Sequence, residues 1–332
     1  MLKLDTVNKI LIIRLSSLGD ILLTTPLIRS IKNKFHDLQI DFLLKDRYSD
    51  VLKYNPHIRK LFNFKPKEDD SIEEISSNDY ELIIDLQNNF RSKKILEKFK
   101  TKSAPHIVKF RKLDYKKFLL VNFKINTLKE APPIPVRYSQ TIGFNILDEK
   151  GLEIFLPEQI KSVLDSGENY IGFAPGSRHF TKMWPKEFYI YLAKILLARG
   201  FKVVLFGGKD DKTTCEEITK AVPDLINYCN DDNILQMAAD MKKCKAIICN
   251  DSGLMHTACA VETPVLSFFG STVKEFGFTP YKNKNLILEN NSLSCRPCSH
   301  IGREECPKKH FKCMMELTPE QAFNKLNLLL NT

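Results

Sequence analysis

Two patterns of hydrophobic positions alternate along this chain, and the alternation runs through twice. Short strand-like runs at Ile10–Ile13, Ile40–Leu44, Lys60–Phe64 and Leu82–Leu86 are separated by helical or polar stretches. Ile10–Ile13 is an unbroken run, as expected of a buried parallel strand. Ile21–Phe35 instead repeats its apolar positions at helical spacing. Proline density at Ala131-Pro132-Pro133-Ile134-Pro135 rules out regular helix there. After Gly151 the pattern restarts, with strands at Tyr170–Ala174, Lys202–Phe206, Ala246–Cys249 and Pro264–Phe269 and helices at Lys186–Arg199 and Leu254–Ala260. Such alternation predicts open parallel sheets with helices on both faces. We therefore expect an α/β protein of two doubly wound, Rossmann-like domains, 1–150 and 151–332, facing a cleft. The last helix is able to pack back on the first domain. Ligands in such folds lie at the carboxyl ends of the strands, and each motif below falls at one.

Composition narrows the class. A chain of 332 residues, 43% hydrophobic, can bury two cores of ordinary size. Nothing near the start resembles a signal peptide, and no apolar run approaches the roughly 18–20 residues of a membrane span. The expectation is a cytoplasmic protein, whose nine cysteines are thiols or metal ligands rather than disulfides. The formal charge of +10 is uneven: Arg91–Lys129 holds thirteen Lys or Arg against Glu97 and Asp114. That stretch either attracts an anionic partner or is a solvated face.

Four strand ends carry candidate chemistry. Ser16-Ser17-Leu18-Gly19-Asp20 follows the first strand, and Asp20 is either a helix cap or a carboxylate placed to take a proton from a hydroxyl. Pro175-Gly176-Ser177-Arg178, followed by Lys182, offers N–H groups, a hydroxyl and a point charge suited to a diphosphate. Trp184 is expected in the core. Asn250-Asp251-Ser252-Gly253-Leu254-Met255-His256 opens a helix whose first N–H groups and dipole suit phosphate, with His256 read as a core histidine. After a fourth strand, Asp210 or Asp211 is available to a ribose or simply closes a polar turn.

Together these residues resemble glycosyltransferase family 9, the ADP-heptose:lipopolysaccharide heptosyltransferases. The likeness runs in order through residues 10–20, 175–185 and 250–256 to Gly270-Ser271-Thr272. It implies a GT-B architecture, with the acceptor on the first domain, the nucleotide sugar on the second, and an inverting transfer without a catalytic metal. Asp20 is then the general base and Lys182 a second catalytic group at the diphosphate. Ser177, Arg178, Asp210, Asp251, Ser252, Gly253, Leu254 and His256 form the donor side. Arg91, Lys109, Arg111 and Lys112, within the basic stretch, face an anionic glycolipid acceptor, and that acceptor is compatible with peripheral association at the cytoplasmic face of the inner membrane. Of the family's acceptor-side signature only Arg137-Tyr138 is present.

Two rival readings use the same residues. GT-B folds also serve nucleotide-sugar epimerases, which need no acceptor and so no base at Asp20. A nucleic-acid-binding protein would use the basic stretch and a four-cysteine zinc module. Cys295-x2-Cys298-x7-Cys306-x6-Cys313 supplies enough thiols for a structural zinc, although the later spacings are unusual for a zinc ribbon. The enzyme reading, with no nucleic-acid partner, is the one adopted.

Overall fold

The computed structural model describes residues 4–65, 70–99, 104–230 and 233–331, so Lys100 and Lys102 of the basic stretch lie outside it. The chain forms two compact units, Met1–Lys112 with Pro132–Pro157, and Leu113–Ala131 with Glu158–Thr332.

In chain order the first unit contains β1 (Lys9–Ile13), α1 (Leu18–Leu22), α2 (Thr25–Lys34), β2 (Gln39–Lys45), β3 (Lys60–Phe64), α3 (Asp70–Ser76), β4 (Leu82–Asp85), α4 (Phe90–Lys98) and β5 (His106–Lys109). Next come α5 (Asp114–Phe123), which belongs to the second unit, and α6 (Ile134–Ser139), which returns to the first. Against the expectation of no helix at these prolines, α6 takes Pro135 into its first turn, where a missing N–H is tolerated. The sheet is parallel throughout, in the order β3-β2-β1-β4-β5, with Ile10 opposite both Ile40 and Leu82. From β1 the chain winds outward to β3, then returns to β4 on the other side. The order therefore reverses between β1 and β4, and their carboxyl ends flank the crevice where such sheets bind ligands.

The single helix expected over Ile21–Phe35 is two helices. Pro26 has no N–H, and within a continuous helix its ring would collide with the carbonyl four residues back. It sits instead in the first turn of α2. The Thr25 hydroxyl donates to the Leu22 carbonyl, the one Pro26 leaves free, at 2.8 Å, and the Thr24 hydroxyl donates to the Ile21 carbonyl at 2.6 Å.

The first unit also extends past residue 150. Buried Arg29 on α2 donates to both carboxylate oxygens of Asp148 at 2.8 Å and to Glu153 at 2.6 Å. The Glu153 N–H in turn donates to Thr25 at 3.1 Å. These bonds tie the connecting strap to α2, and the units divide after Pro157.

The second unit continues with β6 (Tyr170–Ala174), α7 (Lys186–Leu197), β7 (Lys202–Leu205), α8 (Lys212–Ala221), β8 (Ile226–Asn227), α9 (Ile234–Met241), β9 (Ala246–Asn250), α10 (Gly253–Ala260), β10 (Val265–Phe269), β11 (Asn285–Glu289), α11 (Lys312–Met315) and α12 (Pro319–Asn331). Its parallel sheet runs β11-β10-β9-β6-β7-β8, so the order reverses between β6 and β9. Trp184 is in the core, stacked on Phe268 with ring centres 4.2 Å apart, and its indole N–H donates to the Leu317 carbonyl at 2.7 Å. The last helix belongs to the second unit. Ala322, Leu326 and Leu329 of α12 are buried in the second unit's core with Trp184 and Phe268, where their apolar face is satisfied.

Candidate active site

In the first unit, the loop after β1 presents a buried ion pair. Ser17 is the N-cap of α1, and Asp20, three residues on, reaches back to it. One Asp20 oxygen accepts from the Ser17 N–H at 3.1 Å and from its hydroxyl at 2.7 Å. The other lies 2.6 Å from the Arg14 guanidinium, with the Asp20 side chain 18% exposed. Arg14 also donates to the Leu86 carbonyl at 2.6 Å and lies 5.8 Å from the centre of the Tyr138 ring. Gln87, after β4, accepts from the Leu15 and Ser16 N–H groups at 2.9 and 3.2 Å. The loops after β1 and β4 thus brace one another, with Asp20 at the sheet's reversal point.

Asp20 therefore completes the helix cap and also has a charged partner. Burial pushes its carboxyl up, but the Arg14 charge and the Ser17 hydrogen bonds together outweigh burial and hold it below its ordinary value. It is a carboxylate at neutral pH, partly open to solvent.

The second unit gathers its groups at the ends of β6, β9 and β10. Lys182 Nζ lies 2.7 Å from Asp251 Oδ2, both side chains being mostly buried. The Thr272 hydroxyl, after β10, donates to that same oxygen at 2.7 Å. Asn250 locks the loop after β6: its side chain donates to the Pro175 carbonyl at 2.7 Å and accepts from the Trp184 N–H at 2.9 Å. Ser252 caps α10, whose first residues are Gly253 and Leu254. Its hydroxyl is buried and has no hydrogen-bond partner. An unsatisfied hydroxyl at a helix N-terminus suits an incoming phosphate oxygen. His256, one turn on, is buried. Ser177 is half-buried and Arg178 exposed.

Between the two aspartates after β7, the side chains distinguish clearly. Asp210 is exposed. Asp211 accepts from the Gly208 N–H at 3.0 Å, and its carboxylate lies against Gly176, where a Cβ would meet Asp211 Oδ1 at 1.8 Å. Gly176 thus lets the Asp211 carboxylate approach the β6 loop, next to Ser177, which separates two aspartates that the sequence left open.

The basic stretch is not one face of one domain. Arg91, Lys109, Arg111 and Lys112 belong to the first unit, with Arg91, Lys109 and Arg111 exposed; Lys116, Lys117, Lys124 and Lys129 belong to the second. The division follows from packing, because Leu120 and Leu128 are buried against Phe276. Arg137 is buried, donates to the Arg111 carbonyl at 3.1 Å and lies over the Phe110 ring. Tyr138 packs edge-on against the same ring.

Cys295, Cys298 and Cys306 on the loop between β11 and α11, and Cys313 within α11, are all free thiols. Burial pushes Cys313 up to about 12 and raises Cys298 as well. Between the first two, Arg296 fastens the loop to the end of β10, donating to the carbonyls of Phe269, Gly270 and Thr272 and to Glu289.

Sequence reasoning passed over Arg14, Asn250 and Thr272 as functional positions. Arg14 carried a usable signal: a charged residue directly continuing a buried apolar strand requires a partner.

The chain matches the family model described as glycosyltransferase family 9 (heptosyltransferase) over residues 71–309. It is 28% identical to lipooligosaccharide heptosyltransferase 2 of Haemophilus ducreyi, covering 97% of this chain and 99% of that protein. The corresponding Campylobacter jejuni protein is also 28% identical, over 95% and 96%. The structure of the Escherichia coli ADP-heptose lps heptosyltransferase II superposes with a TM-score of 0.76 at 24% identity, covering 97% of this chain and 98% of the other. A glycosyl transferase family 9 structure from Veillonella parvula gives 0.77 at 22% identity, over 98% of both chains. The fold they share is the GT-B type.

Proposed function

This chain belongs to glycosyltransferase family 9, the heptosyltransferases, and from that premise we propose that it transfers heptose from ADP-heptose to a lipopolysaccharide inner-core acceptor, with inversion and with Asp20 as base. It is an enzyme of the glycosyltransferase class; the epimerase and nucleic-acid readings are not favoured by the match. The observation that carries the site assignment is chemical. An ionised, partly exposed carboxylate stands at the reversal point of one sheet. A lysine, a carboxylate and an unsatisfied N-cap hydroxyl stand at that of the other.

In this reading the acceptor hydroxyl attacks the anomeric carbon. The new carbon–oxygen bond forms as the bond to the diphosphate breaks, through an oxocarbenium-like state. The hydroxyl proton passes to Asp20. Lys182, the start of α10 and Ser252 take up the charge growing on the departing ADP, without a catalytic metal. Asp251 is assigned to sugar hydroxyls, with Thr272 fixing its orientation. Ser177 and Arg178 flank the phosphates, and Asp211 is the better placed acid for the nucleoside. Arg91, Lys109, Arg111 and Lys112 are assigned to acceptor anions.

The test is a transfer assay with purified protein, ADP-heptose and a heptose-deficient inner-core glycolipid. ADP should be released and the acceptor should gain one heptose by mass spectrometry. Neither product appearing, while another nucleotide sugar is turned over, overturns the donor assignment.

No helix among the described residues is long and apolar enough to cross a membrane. A cytoplasmic enzyme working at the inner face of the inner membrane accords with a glycolipid acceptor.

A structural zinc at the four cysteines is a separate part of the proposal. Among the described residues no group of three or more His, Cys, Asp or Glu is arranged to hold a metal ion, so the thiols would have to close around it. Elemental analysis of protein purified under reducing conditions decides the point. About one zinc per chain supports the site, and a value near zero ends it without touching the transferase reading.

A further inference from the structure

Helix α5 carries a surface that the transfer chemistry does not use. Tyr115, Phe118, Phe123 and, just beyond the helix, Ile125 are exposed by 73, 53, 61 and 52%. They fall within eleven residues, whereas other exposed large apolar side chains are scattered along the chain. Single exposed apolar residues need no explanation; a contiguous group does.

These side chains stand on an anchored element. Leu120 and Leu128 are buried against Phe276. Lys124 donates from the end of the helix to the Val121 and Pro297 carbonyls, both at 2.7 Å. The Phe118 and Phe123 rings meet edge to face at 5.8 Å. The opposite side of α5 is thus committed to the second unit, and the aromatic side is held outward.

Charge and size narrow the occupant. The segment 114–130 carries Lys116, Lys117, Lys124 and Lys129 against Asp114 and Glu130, with Asp114 lying 3.7 Å from Lys117. Lys116 and Lys129 are exposed. Aromatic rings beside lysines suit the boundary between acyl chains and anionic headgroups, where rings bury among the chains and ammonium groups meet phosphate. A second copy fits less well. A ten-residue helix is about 15 Å long and about 10 Å wide, giving a face far below the roughly 800 Å² per partner of a stable protein interface.

We propose that the Tyr115–Phe118–Phe123–Ile125 face of α5, with Lys116 and Lys129, is a docking surface for an anionic lipid bilayer. It rests on the glycolipid-acceptor reading for its purpose, but its test uses neither donor nor acceptor. Vesicles of phosphatidylethanolamine with phosphatidylglycerol should carry the protein upward in a flotation gradient at low salt. Phosphatidylcholine vesicles should do so far less. Raising salt should weaken the association, because exposed charges are screened. Phe118→Ser with Phe123→Ser should reduce partitioning at least about tenfold, since two rings' buried area is lost. Lys116→Gln with Lys129→Gln should remove the preference for anionic vesicles. All four positions are exposed, so melting temperatures should hold, and transfer to a delipidated acceptor should be unchanged.

Three outcomes overturn the proposal. One is no flotation of the wild-type chain with anionic vesicles. Another is equal flotation of the double serine variant. The third is a change of that variant's sedimentation in lipid-free solution, which would make the face an interface between copies. Failure of transfer by the wild-type chain, with flotation intact, would count against the glycolipid reading instead.

Discussion

Asp20→Asn should lower transfer turnover by about a hundredfold or more, the usual scale for loss of a general base, while ADP affinity stays unchanged. The proposed ADP contacts all belong to the second unit, so donor binding provides the control. Stability will not stay constant, however. Asp20 is paired at 2.6 Å with an Arg14 that is itself buried, and removing one partner of a buried pair costs about 3–5 kcal/mol. The asparagine oxygen still accepts from Arg14, which places the expected loss toward the lower end. The decisive comparison is therefore kinetic, made below the variant's melting temperature. If Asp20 serves only the cap and the ion pair, the variant melts earlier and still turns over.

The direction of the Asp20 shift adds a second reading of the same residue. A carboxyl held below its ordinary value is already ionised across the neutral range, so its loss on acidification should begin only below the usual aspartate range. The same sign governs stability. This carboxylate stabilises the fold above its unfolded value, and that contribution disappears as pH falls through the lowered folded one. A base this weak in the ground state is still serviceable, because the attacking hydroxyl becomes acidic only as its bond to the sugar forms.

Much of this architecture could be read from the chain, and the exceptions have physical causes. Long apolar runs such as Ile10–Ile13 and Tyr170–Ala174 became central parallel strands because they are covered on both faces. The short strands β5 and β8 and the half-buried edge strand β11 gave no such signal. The break at Pro26 was available to sequence reasoning, but the apolar periodicity continues through it. The domain division was less legible, since it rests on Arg29 reaching Asp148 and Glu153 across more than a hundred residues. The strand-end motifs could be grouped from the sequence because, within each sheet, backbone topology alone brings those loops together. Which aspartate after β7 turns inward could not be read, because it depends on the space left at Gly176.

Lys182→Ala is expected to weaken both ADP and intact donor binding and to slow transfer. A lost charge-assisted contact is worth about 1.5–3 kcal/mol, or roughly ten- to a hundredfold in affinity. Transfer should fall further, because charge on the diphosphate grows toward the transition state. The pairing of Lys182 with Asp251 at 2.7 Å complicates a single substitution, since alanine also strands a mostly buried carboxylate. Asp251→Asn separates the two effects. It removes the counter-charge that competes with the diphosphate for Lys182, while Thr272 can still donate to the amide oxygen. ADP affinity should then hold or rise, whereas transfer should fall if Asp251 contacts the sugar. Opposite movement of ADP affinity in the two variants, measured by calorimetry, assigns the lysine to the diphosphate and the carboxylate elsewhere. A parallel fall in both would mean that the pair acts only to hold the loops after β6 and β9 in place. Undiminished ADP affinity in Lys182→Ala would take the lysine out of the donor site.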